Sequence, residues 1–192
     1  MSELDSFRTA VRDYLEQASS SPAVRTLMDT EQGYDEAVWR QMANELGLHG
    51  IAAPEQWGGA GAGMPELAVV FEEMGAALLC SPFFATVALA LQALLDSGDE
   101  SAIDEFAPPL LDGSQVATLV LNGTLGSWDP TAVTITGQRD DADYRLFGDA
   151  DLVLDGHTAD LVLVAANTAK GTSLFAVPGT ASPDFSDLME PT

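Results

Sequence analysis

Two histidines, one cysteine and 30 carboxylate side chains are the groups in this chain whose chemistry calls for an explanation. His49 lies between Leu48 and Gly50, and His157 lies far along the chain. The two lie in different halves of the chain and form no Cys/His/Asp/Glu motif at metal-ligand spacing, so no metal centre is expected and His49 reads as a structural histidine in an apolar turn. The acidic run Asp140, Asp141, Asp143, Asp149, Asp151 and Asp155 lacks the central glycine and terminal glutamate of a calcium loop. It reads as hairpin turns and a solvated strand face. Cys80 sits in an apolar run and is expected to behave as a buried small hydrophobe. No G-x-S-x-G elbow is present. The glycine loop Gly58–Gly63 precedes a helix, and its N–H groups could cradle a phosphate. No strand precedes it and no Lys-Ser/Thr follows, so left-handed backbone at a packed turn is the expected use. No catalytic residue is assigned.

The elements that position these groups fall into two kinds. Residues 1–112 read as helices. Ser2 and Asp5 have capping-box spacing, followed by Leu4, Phe7, Val11 and Leu15 on one face. Val24, Leu27 and Met28 mark a short helix after Pro22. A third helix, Asp35–Leu46, is predicted to bury Val38, Met42 and Leu46, with Gly47 ending it. Pro65 opens a helix through Leu67, Val70, Phe71 and Met74. Ser81-Pro82 starts a fifth, and Ser101 a sixth that Pro108-Pro109 would end. Residues 113–192 switch to short β-type runs: Val116–Leu121, Ala132–Thr136, Tyr144–Phe147, Asp151–Leu154, Leu161–Ala166 and Ser173–Val177. The expected fold class is α+β, an all-α helical domain followed by a small antiparallel β-barrel or sandwich domain.

Composition narrows the partners. The chain has 192 residues and a formal net charge of −23, with only seven Lys+Arg. Nucleic acid and anionic membrane surfaces both need clustered basic side chains, so neither is an expected partner. Met74–Leu95 carries no charge over 22 residues. Ser81-Pro82 interrupts it and acidic residues flank it, so two buried helices are expected instead of a membrane span. A polar start and a single cysteine point to a cytoplasmic protein.

The stretch Glu45-Leu-Gly-Leu-His-Gly-Ile-Ala-Ala-Pro-Glu-Gln-Trp-Gly-Gly-Ala-Gly, followed by Leu67-Ala-Val-Val-Phe-Glu-Glu-Met-Gly, resembles the acyl-CoA dehydrogenase family. Four elements occur in order: a helix ending in L-G-L-x-G-I, a P-E-x-x-G-G-x-G loop, a further helix, and its close in E-E-x-G. Ala117-Thr-Leu-Val-Leu and Asp155-Gly-His-Thr-Ala-Asp-Leu-Val-Leu-Val resemble strands of the family's middle β-domain. The resemblance implies an N-terminal helical domain (1–112) and a middle β-domain (113–192), with the family's C-terminal four-helix domain absent from this stretch. It also implies FAD as cofactor, α,β-dehydrogenation of an acyl-CoA thioester, an electron-acceptor flavoprotein, and a homo- or hetero-oligomer with another such subunit.

Positions matching the family's flavin contacts are Leu121, Asn122, Gly123 and Ser127 in one loop, and Val153 and Leu154 in another. Both depart from the pattern. The family has a Thr-Glu pair where Asn122-Gly123 stands, and a hydroxyl residue where Leu154 stands. An amide side chain at Asn122 can still bond a flavin edge, whereas Leu154 offers no hydroxyl. The family's catalytic glutamate belongs to the C-terminal bundle, and Glu55, Glu66, Glu72 and Glu73 do not match it. Three readings stay open: part of an active flavoprotein dehydrogenase, a non-catalytic partner subunit of a heteromeric member acting on bulky sterol-derived thioesters, or an interaction module without redox activity.

Overall fold

A computed structural model describes residues 2–121, 132–141 and 143–179. Helix α1 (Glu3–Ala18) begins with the anticipated box: Ser2 Oγ accepts from Asp5 N–H, and the Asp5 carboxylate accepts from Ser2 N–H. Helix α2 (Ser21–Met28) has proline in its first turn. Helix α3 (Glu36–Asn44) is shorter than predicted and buries Trp39, Met42 and Ala43. Val38 is only half-buried and Leu46 is exposed, because the helix ends before Leu46 and Gly47 turns the chain left-handed at φ 64°. Two single 3-10 turns (Leu48–Gly50 and Glu55–Trp57) lead to α4 (Met64–Ala77).

The fifth predicted helix is present in an unexpected form. Phe84–Leu91 winds as a wide π-helix and passes directly into α5 (Gln92–Asp96). Helix α6 (Glu100–Leu111) is capped by Asp99 instead of Ser101 and runs through Pro108 and Pro109. The prolines are tolerated because the carbonyls they leave unbonded belong to Asp104 and Glu105, both on exposed residues where water can replace the lost bonds.

The β part departs from three expectations. Among the described residues it is one five-stranded sheet, mixed instead of the expected antiparallel one. Strands β1 (Ala117–Val120) and β2 (Thr136–Asp140) run parallel to the central β4 (Leu161–Thr168). Strand β3 (Asp143–Phe147) forms a hairpin with β2, and β5 (Gly171–Pro178) pairs antiparallel along the whole of β4. The predicted strand at Asp151–Leu154 is a turn, with Leu152 and Asp155 left-handed at φ 55° and 52°. The predicted strand at Ala132–Thr136 starts only at Thr136. Val133 and Ile135 are buried, but Asn167 takes both their carbonyls, through its side-chain amide and its N–H respectively.

Strand alternation divides the core. Leu161 and Leu163 face α5 and α6 and pack with Leu91, Leu94, Ile103 and Leu110. Val162, Val164 and Ala166 face the other way, toward Ile135, Val153 and Phe175. A separate helical core joins α1, α3, α4 and the π-helix through Leu15, Met42, Leu48, Val70, Phe83 and Val87.

Candidate functional site

Of the two segments that the resemblance assigns to a flavin, the described residues include Leu121 at the end of β1 and the turn at Val153–Leu154. Strand β1 leads to half-buried Leu121, and the turn carrying Val153 and Leu154 is tied to β1 by Thr118, whose buried Oγ1 donates to the Leu154 carbonyl at 2.6 Å. Val120 and Val153 belong to the same core cluster. Within the turn, Gly156 N–H donates to the Val153 carbonyl and Thr158 N–H to the Asp155 carbonyl. Asn122, Gly123 and Ser127 lie outside the described residues.

Residues 152–154 of this turn are apolar at the surface. Leu152 is 82% exposed and Leu154 46% exposed. Burial pushes the Asp155 carboxyl up, and His157 draws it partly back. An isoalloxazine edge laid against residues 152–154 would meet leucine and valine side chains and main-chain groups only. Residues 152–154 therefore do not supply the side-chain hydroxyl that the family resemblance expects there.

The remaining chemically capable residues are held in structural roles. His49 is fully buried, 3.9 Å from the Trp39 ring by centroids, with Nδ1 3.1 Å from the Leu110 carbonyl. That contact makes Nδ1 the protonated nitrogen and leaves Nε2 without a partner. Burial lowers the ring's pKa to about 4, so it is neutral at pH 7. Glu73 is buried and pairs with half-buried Arg8 and exposed Arg12: Arg12 bonds both carboxylate oxygens at 2.8 Å, and Arg8 bridges Glu73 and exposed Glu72. The Arg12 and Arg8 guanidiniums hold the Glu73 carboxyl below its usual range, against the opposing effect of burial. This ion cluster staples α1 to α4.

The glycine loop is a packed turn. Gly58 and Gly61 are left-handed at φ 85° and 62°, and a Cβ on Gly59 would lie 2.1 Å from the Ala53 carbonyl oxygen. Cys80 is half-buried, less enclosed than expected. Among the described residues, no group of three or more His, Cys, Asp or Glu is arranged to hold a metal and no helix is long and apolar enough to cross a membrane.

Sequence motifs gave no signal for one further feature. A polar cleft of about 550 Å³ lies at the starting ends of β1 and β4, away from Leu121, lined by Glu31, Tyr34, Trp39, Arg40, His157 and Asp160 among others. His157 Nε2 is 3.0 Å from the Glu31 carbonyl across it. Its residues come from three separated segments, which is why no local motif marks it.

Residues 1–114 match the family model for the acyl-CoA dehydrogenase N-terminal domain. The chain belongs to the acyl-CoA dehydrogenase family. A similar curated relative is the acyl-CoA dehydrogenase IpdE2 of Mycobacterium tuberculosis, 30% identical over 167 residues, 86% of this chain and 42% of the relative. Among solved acyl-CoA dehydrogenases, a variant of the Tcur3481-Tcur3483 steroid ACAD superposes with a TM-score of 0.81 at 30% identity, covering 92% of this chain and 48% of that one. The ChsE4-ChsE5 complex of Mycobacterium tuberculosis superposes with the same TM-score at 27% identity, covering 93% and 48%. The chain thus spans about half the length or less of these relatives. Acyl-CoA dehydrogenases of this family are FAD-dependent oxidoreductases.

Proposed function

We propose that this chain is the helical domain (1–112) and middle domain (113–192) of a flavin-deficient acyl-CoA dehydrogenase subunit. Its work is to complete a heteromer with a flavin-bearing subunit that dehydrogenates a steroid-derived acyl-CoA thioester. The observation that carries this reading is the Leu152–Leu154 turn, whose outward side chains are apolar where a flavin edge needs a hydroxyl. Two further facts support it. Two of the solved structures it resembles bear the names of paired proteins, and one of those names specifies a steroid substrate. The β half also carries only Arg139, Arg145 and Lys170 as basic side chains, a meagre set for the phosphates of CoA and FAD. A partner subunit, or the part of the family fold beyond these two domains, supplies the remaining cationic contacts, the catalytic base and the link to an electron-acceptor flavoprotein.

The test is expression from the native gene, alone and together with a flavin-bearing family subunit, assayed by dye reduction with steroid-derived acyl-CoA thioesters. Turnover is expected only from the co-expressed pair. Turnover by this protein alone would show that it is a self-sufficient flavoenzyme.

A further inference from the structure

The outer edge of β1 has no strand beside it among the described residues. Val116 turns its carbonyl toward β4, where Asp160 and Leu161 N–H groups donate to it, so the N–H and carbonyl of Ala117 point to the opposite, open edge. The π-helix lies there. Thr86, fully buried and the one polar residue in Phe84–Leu91, donates from Oγ1 to the Ala117 carbonyl at 3.0 Å and accepts from Ala117 N–H at 3.1 Å. A single hydroxyl thus makes both bonds that a neighbouring strand residue would make. The next residue, Thr118, turns its own hydroxyl to the Leu154 carbonyl.

The preceding chain is gripped as closely. Between the end of α6 and β1, the Leu110, Asp112 and Gly113 carbonyls meet the side chains of His49, Asn44 and Trp39. Asp160 Oδ2 accepts from Val116 N–H. The helical domain therefore sets the position of β1 through side chains, and β1 in turn sets the turn at Val153–Leu154.

The geometry points to Thr86 as the positioning residue of the candidate site: it stands in for an edge strand, and through Ala117 and Thr118 it makes the placement of the Leu152–Leu154 turn depend on the π-helix. Wide helical turns are uncommon and cluster at functional sites, and here the widened helix brings a hydroxyl onto a strand edge. The assignment of the turn to a flavin-facing role rests on the proposed function. The two-step hydroxyl relay itself does not.

Amide hydrogen exchange resolved to single residues, on the complete chain, tests the relay. In Thr86→Val, which keeps the shape and removes the hydroxyl, exchange at Ala117 should accelerate about tenfold or more. Exchange at Gly156 and Thr158 should also rise, while α1 and α4 keep their protection. Thr86→Ser should restore the wild-type pattern. In Thr118→Val, exchange should rise at Gly156 and Thr158 with Ala117 still protected, and this variant carries the test should Thr86→Val fail to fold. Unchanged exchange at these amides, or Thr86→Ser behaving like Thr86→Val, would overturn the assignment. A positive exchange result together with flavin bound to this chain would leave the relay standing and remove only the proposed function.

Discussion

The loop from Gly50 to Gly63 and the turn from Asp149 to Asp160 are both irregular segments rich in residues that matched a family pattern, yet they are built on different principles. The first is closed by main-chain bonds, with Ala60, Gly61 and Ala62 N–H groups donating to the Gly50, Ala53 and Ile51 carbonyls. Gly59 stands where a side chain would strike backbone, and Gly58 and Gly61 stand where φ is positive. The second is anchored by the Thr118 hydroxyl at Leu154 and by the bonds between Asp160 and Val116, and it turns Leu152 and Leu154 outward. Steric demand dictates residue type in the first. In the second, Leu154 faces no such demand, so its chemistry can change while the fold stays intact.

The largest effect that would break this contrast lies at Gly59. Gly59→Ala forces a methyl group against the Ala53 carbonyl, and the expected cost is roughly 3 kcal/mol or more, read from denaturant unfolding. A loss below about 0.5 kcal/mol would show that the loop is not sterically fixed.

His49, beneath that loop, gives an intermediate effect with a definite sign. The unfolded chain binds a proton on this residue below a pH of about 6.5, and the folded chain only below about 4. Unfolding therefore takes up a proton between those values, and stability falls as the pH drops through this window. Near pH 5 the loss amounts to about 2 kcal/mol relative to neutral pH. His49→Phe, which retains a ring beside Trp39 and Phe83, should flatten that part of the acid limb. An unaltered slope would place the acid sensitivity elsewhere.

The smallest effect is expected at Leu154. Leu154→Thr restores a hydroxyl at a half-exposed side chain, and stability should change by no more than about 0.5 kcal/mol. A shift above about 2 kcal/mol in an unfolding titration would mean that Leu154 is needed for folding, and the contrast between the two segments would fail.

The parts of the structure legible in the sequence are those governed by local rules. The capping box at Ser2, proline near the start of α2, Gly47 after α3 and the Asp143–Phe147 strand all follow from the preferences of a few adjacent residues. The failures have non-local causes. Leu-Val-Leu at 152–154 has strand composition, but Thr118 captures its carbonyl and the backbone turns left-handed on either side of Val153-Leu154. The parallel pairing of β1 with β4 joins residues far apart in the chain, and alternation within each strand carries no information about direction. The widened helix left no mark in an apolar run, and Thr86 was invisible as a strand partner until the sheet edge was known. At the candidate site, the identities of Leu121, Val153 and Leu154 came from the family pattern, while their adjacency came from the Thr118 bond.

Flavin stoichiometry tests the central claim most directly. The protein, expressed from its native gene and purified in complex with a flavin-bearing acyl-CoA dehydrogenase subunit, should contain FAD equal in amount to the partner subunit, with none attributable to this chain and no visible flavin absorbance when this chain is isolated alone. One FAD per copy of this chain, retained through purification without the partner, would contradict the account.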